Sequence, residues 1–419
     1  MEYDVRTLDP NHPETPAALL RGYLEAVNRG FHLVRADSRG EDVWLSDVRG
    51  NSARLHGAWL PEGSYGSGPV PVATVTSWDG ELNTGAEVVP LHMISDVTVA
   101  PSSRRQGLAR RLLSADLAGA AAAGKSIAAL TVSEGGIYRR FGFGPATQVT
   151  KVEVDVTRRF AFEEFSSSGR FVVLEPAELG DVPSRIFAQW HATHRGSVSR
   201  PAGYSSFTHG GWDWSEQAPS KKMRAVVHLD ADDVPHGYAL YEHGGWGDDH
   251  TVKVRDMASV TAEGELALWD FLAGVDLTDR VTATVRPDHP LPWALVDPRC
   301  VASKGPSDHI WVRILDVAAA LAARPWSADG EVVVGVTDPL GFAEGRWAVT
   351  VRDGRAEVVP SDAAPQVSLD VSTLGSLYLG VTTVGTQVAA GRVRGDADAL
   401  RTWAAMSDGG PVPYSLTSF

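Results

Sequence analysis

The stretch from Ser95 to Leu113 combines residue types that could hold an anion. Val97 and Val99 alternate as in a strand, Pro101 ends that strand, and leucines at helical spacing follow. Between them lies a basic turn made of Arg104, Arg105, Gln106, Gly107, Leu108, Ala109 and Arg110. A helix start leaves backbone N–H groups unpaired and carries roughly half a positive charge. Because glycine lets the backbone approach a ligand and the arginines add full charges, this turn is a candidate anion site.

The spacing of this turn separates it from the common nucleotide loops. Neither G-x-G-x-x-G nor G-x-x-x-x-G-K-[ST] occurs in it. Its Arg-x-x-Gly-x-Ala pattern after a Val-x-Val strand instead resembles the pyrophosphate loop of the GNAT (Gcn5-related N-acetyltransferase) acyltransferases. The resemblance implies that the turn binds the pyrophosphate of acetyl-CoA and that the backbone of Val97, Thr98 and Val99 binds the pantetheine arm. Taken alone, the pattern also fits a solvated basic helix start.

A second segment, about 30 residues further on, has the same resemblance. Ile127 to Ser133 is typical of a buried strand, and Glu134-Gly-Gly-Ile-Tyr138-Arg-Arg-Phe-Gly-Phe follows it. In GNAT enzymes a Tyr-x-x-Phe-Gly-Phe segment follows the strand after the coenzyme loop, with the tyrosine near the thioester sulfur. The resemblance therefore implies that Tyr138 protonates the departing CoA thiolate and that Ser133 and Glu134 contact the coenzyme. The alternative for Tyr138 is packing within an aromatic turn.

Three features resemble one branch of this family, the Eis-like (enhanced intracellular survival) aminoglycoside N-acetyltransferases. They are the sequence Ser-Glu-Gly-Gly-Ile-Tyr, the chain length and the carboxy-terminal Phe419. This branch implies two GNAT-like domains, a carboxy-terminal sterol-carrier-like domain and assembly into homohexamers. It also implies that the terminal carboxylate of Phe419 is the base and that the amide of Val99 binds the thioester oxyanion. Thr417 and Ser418 are uncharged, so the tail offers a polycation little beyond its terminal group.

The element pattern divides the chain into three ranges of α/β (α+β) character. Residues 1–147 are predicted to form the GNAT domain that binds acetyl-CoA. Residues 148–305 repeat its strand, turn and helix, but Glu263 and Glu265 at the helix start would repel a pyrophosphate, which indicates a degenerate GNAT-like domain. Residues 306–419 combine a strand meander, with an Asp-Gly hairpin turn, and later helices. This order resembles a sterol-carrier-like domain, which would supply the terminal carboxylate.

Local patterns place the elements of the first range. The predicted elements are a strand at 5–8, a helix over 16–27, and strands at 43–45 and 55–60. Residues 70–77 and 88–99 are predicted to form a hairpin of central strands. The basic turn then lies at the carboxy end of the second of these strands, where α/β sheets tend to bind ligands.

Composition restricts the partners and the location of the protein. Its 419 residues have a net charge of −14, which argues against nucleic acid, because binding to nucleic acid needs a basic surface, and favours cationic substrates. Neither a signal-like segment nor a membrane-spanning apolar run is recognisable. The single cysteine, Cys300, fits a reducing compartment, so we expect a cytoplasmic protein without membrane contact.

Acetyl transfer to an amine requires the removal of a proton. An alkylammonium with a pKa near 10.4 is only about 10⁻³ neutral at pH 7, so a base must act, directly or through water. No metal is expected, because His191-Ala-Thr-His194 has no further ligand at matching spacing. The candidate cleft walls, which are alternatively packing residues, are Phe31, Trp44, Trp212 and Trp214.

Together these observations predict an N-acetyltransferase that uses acetyl-CoA and acts on primary amines of cationic molecules. The resemblance implies aminoglycosides or similar polyamines as substrates. Two alternatives stay open. One is a non-catalytic lipid carrier or interaction protein built on the third domain, and the other is a transferase that acetylates protein lysines.

Overall fold

The computed structural model describes residues 2–132, 134–245, 247 and 249–419. Within these residues the chain forms three large sheets, of seven, seven and five strands, and a two-stranded ribbon. The first strands are β1 (Asp4–Leu8), β2 (Arg54–Trp59), β3 (Ala73–Asn83), β4 (Val88–Val99), β5 (Ile127–Thr131) and β6 (Gly144–Pro145). The middle strands are β7 (Gln148–Asp155), β8 (Arg170–Leu174), β9 (Trp212–Asp213), β10 (Ala218–Pro219), β11 (Met223–Leu229), β12 (Pro235–His243), β13 (Thr251–Ser259), β14 (Arg280–Val285) and β15 (Val301–Asp308). The last strands are β16 (Ile310–Ile314), β17 (Gly330–Thr337), β18 (Gly345–Arg352), β19 (Arg355–Pro360), β20 (Val367–Asp370) and β21 (Val393–Gly395).

The helices cover the sheets with their apolar sides. The helices of the first half are α1 (Ala17–Gly30), α2 (Ser38–Gly50), α3 (Leu108–Ala122), α4 (Gly135–Tyr138), α5 (Val182–Thr193) and α6 (Gly203–Gly210). Those of the second half are α7 (Ala262–Ala273), α8 (Leu291–Ala294), α9 (Val317–Ala322), α10 (Val371–Tyr378), α11 (Val384–Ala389) and α12 (Ala397–Ser407). In α3 the leucines at 108, 112, 113 and 117 are buried, as their helical spacing predicts. None of the described helices has the length and apolar content that a bilayer crossing requires.

The first sheet has the strand order β1-β2-β3-β4-β5-β16-β6. Its two central strands, β4 and β5, are parallel, but their pairing covers only three residue pairs and ends at Ile94 and Leu130. Strand β4 continues to Val99 and stays paired with β3 through a bulge opposite Thr74 to Thr76. The sheet therefore opens between β4 and β5 at their carboxy ends.

The sixth strand of this sheet, β16, comes from far along the chain. It pairs antiparallel with β5 over five residue pairs, from Ile310 with Thr131 to Ile314 with Ile127. It lies within the range predicted for the third domain, yet it completes the first sheet. The reason is burial: Ile310, Val312 and Ile314 are fully buried in a core that the first sheet shares with the third domain.

The second sheet repeats the central arrangement of the first. Its order is β15-β7-β14-β13-β12-β11-β8, and β13 and β14 are parallel strands joined by helix α7, as β4 and β5 are joined by α3. Thr261 caps α7 by accepting a hydrogen bond from the Gly264 N–H at 3.0 Å, and Glu263 and Glu265 lie in its first turn. This helix start thus carries negative side chains where the first domain carries arginines.

The third domain is a five-stranded sheet of order β19-β18-β17-β20-β21 with helices α9 to α12 around it. The predicted hairpin is confirmed: Arg352 pairs with Arg355, and Asp353 and Gly354 have φ of 51° and 72°. Both central residues of this turn are left-handed, as a type I′ turn requires.

The predicted strand at 43–45 is wrong. Residues 38–50 form helix α2, whose start is capped by Asp37, with the Asp37 carboxylate accepting a hydrogen bond from the Gly40 N–H at 2.9 Å. Trp44 and Val48, four residues apart, are both buried on one side of it. The three-residue apolar run was too short to distinguish a strand from one face of a helix.

A buried polar network joins β2, β3 and β4 to helix α3. Asp116 of α3 is 3% exposed; its carboxylate accepts a hydrogen bond from Ser77 Oγ at 2.6 Å and lies 2.7 Å from His92 Nε2 and 3.0 Å from His56 Nε2. Burial alone would raise the pKa of this carboxyl, but its hydrogen bonds with His56, His92 and Ser77 hold the pKa well below its usual range. Such a group stabilises the fold above its unfolded pKa of about 3.9 and loses that contribution as the pH falls further.

We therefore expect Asp116→Asn to lower the free energy of unfolding at pH 7 by about 1.5–3 kcal/mol, the range for a hydrogen bond to a charged group. The difference in the free energy of unfolding between the two proteins should shrink as the pH falls from about 5 to 3. Over this range the stabilisation that comes from the low pKa of the folded wild-type carboxyl is progressively lost. Urea titrations of both proteins across this range measure it. A difference that stays constant with pH would mean that Asp116 does not stabilise the fold through its charge.

Candidate active site

The basic turn adopts a backbone conformation suited to an anion. Arg105 and Gly107 have φ of 62° and 75°, and Gly107 is the left-handed residue directly before helix α3. A Cβ on Gly107 would meet no atom within 4 Å, so this position needs glycine for its φ and not for space. The side chains of Arg104, Arg105 and Arg110 are exposed. The fifteen-residue helix and these cations together favour negative charge at the turn.

A cavity of about 510 Å³ opens beside the turn and is called here the coenzyme cavity. Its lining includes four arginines, Arg104, Arg105, Arg110 and Arg140, together with Val99, Ser103, Gly107, Leu108 and Ala109. Pro339 and Leu340, from the loop after β17 of the third domain, also line it. Of the residues predicted for the pyrophosphate, all except Gln106 line this one cationic cavity.

Several residues of the predicted coenzyme set have side chains engaged elsewhere. The Tyr3 hydroxyl donates a hydrogen bond to Gln106 Oε1 at 2.8 Å, and the hydroxyls of Thr98 and Thr74 are 2.6 Å apart. Leu108 is buried in the apolar cluster under α3. Thr98 and Leu108 therefore have chiefly their backbone groups to offer to a ligand, and Gln106 has its side-chain NH2 group as well.

Tyr138 ends helix α4, which follows β5 along the chain. It is 7% exposed and belongs to the apolar cluster that contains Ile94 and Leu130, the last pair of the parallel ladder. Its ring meets Phe143 edge to face, with centroids 6.3 Å apart. Burial, with a smaller effect of the nearby Glu134 charge, raises the pKa of Tyr138, so its hydroxyl stays protonated at neutral pH. Glu134 is exposed, and Ser133 lies outside the described residues.

The carboxy-terminal residue, Phe419, lies at the end of β5, where β4 and β5 separate. The Thr131 hydroxyl, at the end of β5, donates a hydrogen bond to the terminal carboxylate of Phe419. The Phe419 ring packs edge to face on Trp78 of β3, with centroids 5.6 Å apart. Phe419 thus lies near the point where β4 and β5 separate.

The residues before Phe419 are held in place by the second domain and by His309, which directly precedes β16. Thr417 is fully buried and donates a hydrogen bond to the Val198 carbonyl at 2.9 Å. The Ser418 N–H donates to the Tyr204 hydroxyl at 2.8 Å, and Ser418 Oγ lies 2.9 Å from His309 Nε2. Chain ends are commonly frayed, but these contacts order this one.

A cavity of about 1070 Å³, called here the large cavity, is lined by residues of the first two domains and by the tail, Phe419 included. Aromatic residues form much of its wall: Phe31, Trp44, Trp78, Trp190, Tyr204, Phe207, Trp212, Trp214 and Tyr414. The four aromatic residues proposed from the sequence as cleft walls are all among them. Faces of aromatic rings attract cations, so this wall suits a cationic ligand.

Carboxylates in the large cavity are of two kinds. Some lie beside a basic side chain: Asp256 is 2.7 Å from Arg200, Asp213 is 3.3 Å from Arg255, and Glu265 is 2.9 Å from the His289 imidazole. Asp47 and Asp96 have no cation within 4 Å among the described residues. Burial raises the pKa of Asp47 to about 6 against a hydrogen bond from Ser206, and burial also raises the pKa of Asp96. The cavity therefore has unneutralised carboxylates beside the terminal one.

The sequence did not point to several residues that the structure places at this site. Thr131 and Asp96 stand at the opening between the two central strands, and Tyr204 and His309 hold the tail. In the sequence, Asp96 is distinguished by its charge within the largely apolar strand β4, and this was the signal that could have indicated it. The tail contacts join segments more than 100 positions apart, which no local pattern reveals.

The histidine pair 191/194 forms local contacts in place of a metal centre. His191 Nδ1 lies 2.8 Å from Ser197 Oγ, and His194 stacks on Trp190 with ring centroids 4.2 Å apart. In the part of the chain that the structure describes, no three His, Cys, Asp or Glu side chains are grouped as metal ligands.

Comparison with known families finds three domain models that match this chain. Two models, each described as an acetyltransferase (GNAT) domain, match residues 21–146 and 196–314. A model described as a sterol carrier protein domain matches residues 317–415. The predicted fold class, two GNAT-like domains followed by a sterol-carrier-like domain, is confirmed.

Individual relatives extend this similarity over most of the chain. The N-acetyltransferase Eis of Mycobacterium tuberculosis is 35% identical over 354 residues, which cover 81% of this chain and 83% of the relative. An uncharacterized N-acetyltransferase of Streptomyces avermitilis is 33% identical over 382 residues, 89% of each chain. The crystal structure of Eis1 from Mycobacterium abscessus superposes with a TM-score of 0.82 at 27% identity, over 99% of this chain and 100% of that chain.

Proposed function

The chain belongs to the Eis family of GNAT N-acetyltransferases, and from this premise we propose that it transfers an acetyl group from acetyl-CoA to a primary amine of a cationic substrate, such as an aminoglycoside or a polyamine. In this proposal the amine enters the large cavity and the coenzyme lies along Val97 to Val99 with its pyrophosphate at the basic turn. The Phe419 carboxylate accepts a proton from the amine, and Tyr138 donates one to the leaving thiolate.

The observation on which this proposal chiefly depends is the position of the Phe419 carboxylate. It accepts a hydrogen bond from Thr131 at the end of β5, within the large cavity and at the opening between the central strands. A carboxylate here can take the proton that keeps an alkylammonium from attacking, directly or through one water. The same negative charge attracts a cationic substrate toward the reacting end of the cavity.

The residues around the coenzyme cavity fit a diphosphate. Backbone N–H groups of the first turn of α3 and four arginine side chains supply donors and charge for it. Beyond Ile94, strand β4 is free of β5 within the described residues, so its backbone can pair with an extended arm. Acetyl-CoA, the acyl donor that GNAT acetyltransferases use, would supply the acetyl group as a thioester. The Val99 amide, which lies beside the coenzyme cavity, would donate a hydrogen bond to the developing oxyanion.

Tyr138→Phe is expected to lower kcat by about 10–100-fold, near the lower end for loss of a general acid, because a thiol of pKa near 8.5 leaves with little assistance. The substitution keeps the ring that packs on Phe143, so thermal stability and the affinity for acetyl-CoA should stay near wild type. Thiol release at saturating amine measures kcat. A wild-type rate would assign Tyr138 to packing alone.

The experiment that tests the proposed function is thiol release from acetyl-CoA with a panel of aminoglycosides, polyamines and lysine peptides. Release with small polycations, and mass spectrometry of the acetylated amines, would support the proposal. Release with lysine peptides alone would identify a protein lysine acetyltransferase. If calorimetry detects no binding of CoA, the result favours the alternative hypothesis of a non-catalytic carrier.

We also propose that the protein is a homo-oligomer, because assembly into hexamers is usual in the branch that it resembles. Apolar surface on the second domain supports this: Trp293 and Val296 are 88% and 63% exposed. Light scattering of the purified protein gives the number of subunits, and a monomer at micromolar concentration would contradict the proposal.

A further inference from the structure

Asp96 lies in the large cavity at the opening between the central strands, and the proposed mechanism gives it no role. It follows Ile94, the last residue of β4 that pairs with β5, by two positions. Across the opening, Thr131, which holds the Phe419 carboxylate, follows Leu130 by one. Asp96 and the Phe419 carboxylate therefore both lie just beyond the last paired residues of the two strands, and both residues line the cavity.

The backbone at Asp96 is built to hold this side chain. Asp96 has a φ of 52°, in the left-handed region, within the bulge of β4. The Thr74 hydroxyl donates a hydrogen bond to its carbonyl at 2.6 Å, and the Thr76 hydroxyl donates to its Oδ2 at 2.8 Å. A bulge redirects a side chain away from the regular alternation of a strand, and a left-handed non-glycine residue is a common mark of a functional site.

The second oxygen of this carboxylate, Oδ1, has no hydrogen-bond partner among the described residues. No cation of that part of the chain lies within 4 Å of Asp96, whereas Asp213 and Asp256 in the same cavity each have an arginine there. Burial without a cation disfavours the charged form, and a bound ammonium would reverse this. The position therefore offers a hydrogen-bond acceptor and a charge that nothing in the fold uses.

We propose that Asp96 binds a second ammonium group of the substrate, close to the amine that is acetylated at the Phe419 carboxylate. The site then prefers compact diamines and polyamines over monoamines of the same length. This inference rests on the proposed function, because it concerns the substrate of the same site.

The test compares Asp96→Asn with the wild type on propylamine and 1,3-diaminopropane, which share one carbon chain. Asparagine keeps the side-chain volume, can accept the Thr76 hydrogen bond and adopts positive φ readily, so the change removes mainly the charge. For the wild type we expect kcat/KM to favour the diamine by about 10–100-fold, the value of one charged hydrogen bond. Asp96→Asn should reduce this ratio to roughly the factor of two that two equivalent amines give, with much less effect on the monoamine.

The matched control is Asp308→Asn, which removes the same charge from the same cavity. Asp308 is exposed and accepts a hydrogen bond from Trp311 Nε1 at 2.6 Å, a contact that asparagine can keep. Asp308→Asn should keep the wild-type ratio of kcat/KM for the diamine over the monoamine. An equal loss in both variants would mean a general field effect and would overturn the inference, as would an unchanged ratio in Asp96→Asn.

Failure of the inference and failure of the proposed function give different results. If the wild type releases thiol with amines and Asp96→Asn keeps the diamine preference, only the inference is overturned. If the wild type releases none with any amine, the proposed function is overturned as well. Calorimetric titration of 1,3-diaminopropane into both proteins without acetyl-CoA adds a readout that needs no turnover, and a loss of binding in Asp96→Asn supports the inference.

Discussion

A protein extended by two glycines beyond Phe419 is expected to turn over about 10²–10⁴-fold more slowly, the range for loss of a general base. The extension converts the carboxylate into a peptide carbonyl, which bears no charge and cannot take a proton at neutral pH. Because Thr131 and Trp78 hold Phe419 at the opening, the new terminal carboxylate lies two residues beyond the position of the original one. Thiol release at saturating acetyl-CoA and amine measures the effect.

Two controls separate loss of the base from loss of the fold. The affinity for acetyl-CoA, measured by calorimetry, should stay nearly unchanged, because the basic turn is a separate element of the first domain. Ser418→Ala alters the same tail but keeps the terminal carboxylate, and it should retain most of the turnover. An extended protein that works at the wild-type rate would exclude Phe419 as the base.

Arg313→Met is expected to destabilise the protein by about 3–5 kcal/mol, the range for breaking a buried ion pair on one side. Arg313 lies on β16, is fully buried, and reaches both carboxylate oxygens of Asp338 in the third domain, at 2.7 and 2.6 Å. The same carboxylate accepts hydrogen bonds from the N–H groups of Leu340 and Ala343. Removal of the guanidinium leaves a buried charge without a partner. Chemical denaturation at neutral pH measures the loss of stability.

The double variant Arg313→Met with Asp338→Asn is the matched control. Asparagine carries no charge and can accept one of the two loop hydrogen bonds, because its second side-chain atom is a donor. Since it leaves no unpaired buried charge, the double variant should still be more stable than Arg313→Met alone. Since Leu340 of this loop also lines the coenzyme cavity, the single variant should bind acetyl-CoA more weakly as well. Equal destabilisation of both variants would mean that the two groups are not coupled.

The elements that the sequence predicted correctly are those whose causes are local. The basic turn has its glycine where the backbone is left-handed, the helix after it buries leucines at helical spacing, and the Asp-Gly turn forms its hairpin. Each of these depends on residues only a few positions apart. The resemblance to a family identified the three ranges of the chain as two GNAT-like domains and a sterol-carrier-like domain, which the element pattern alone does not give.

Features that depend on distant segments could not be predicted in the same way. No pattern near Ile310 indicates that it pairs with Thr131, and no pattern near Thr417 indicates that Val198 binds it. In the sequence, Asp96 is a single charged residue within an apolar strand. Its place at the site follows only from the bulge and the opening beside it, which the sequence does not show. Burial and pairing across the chain decide these features, and both are properties of the whole fold.

The late origin of β16 has a consequence for synthesis. Until residues 310–314 emerge from the ribosome, β5 presents an unpaired edge to solvent, and at about 5–20 residues per second this lasts on the order of ten seconds or more. The nascent amino-terminal domain therefore waits, incomplete and prone to wrong pairing, for a strand encoded beyond the second domain. Growth temperature and chaperone supply should accordingly limit the yield of this protein.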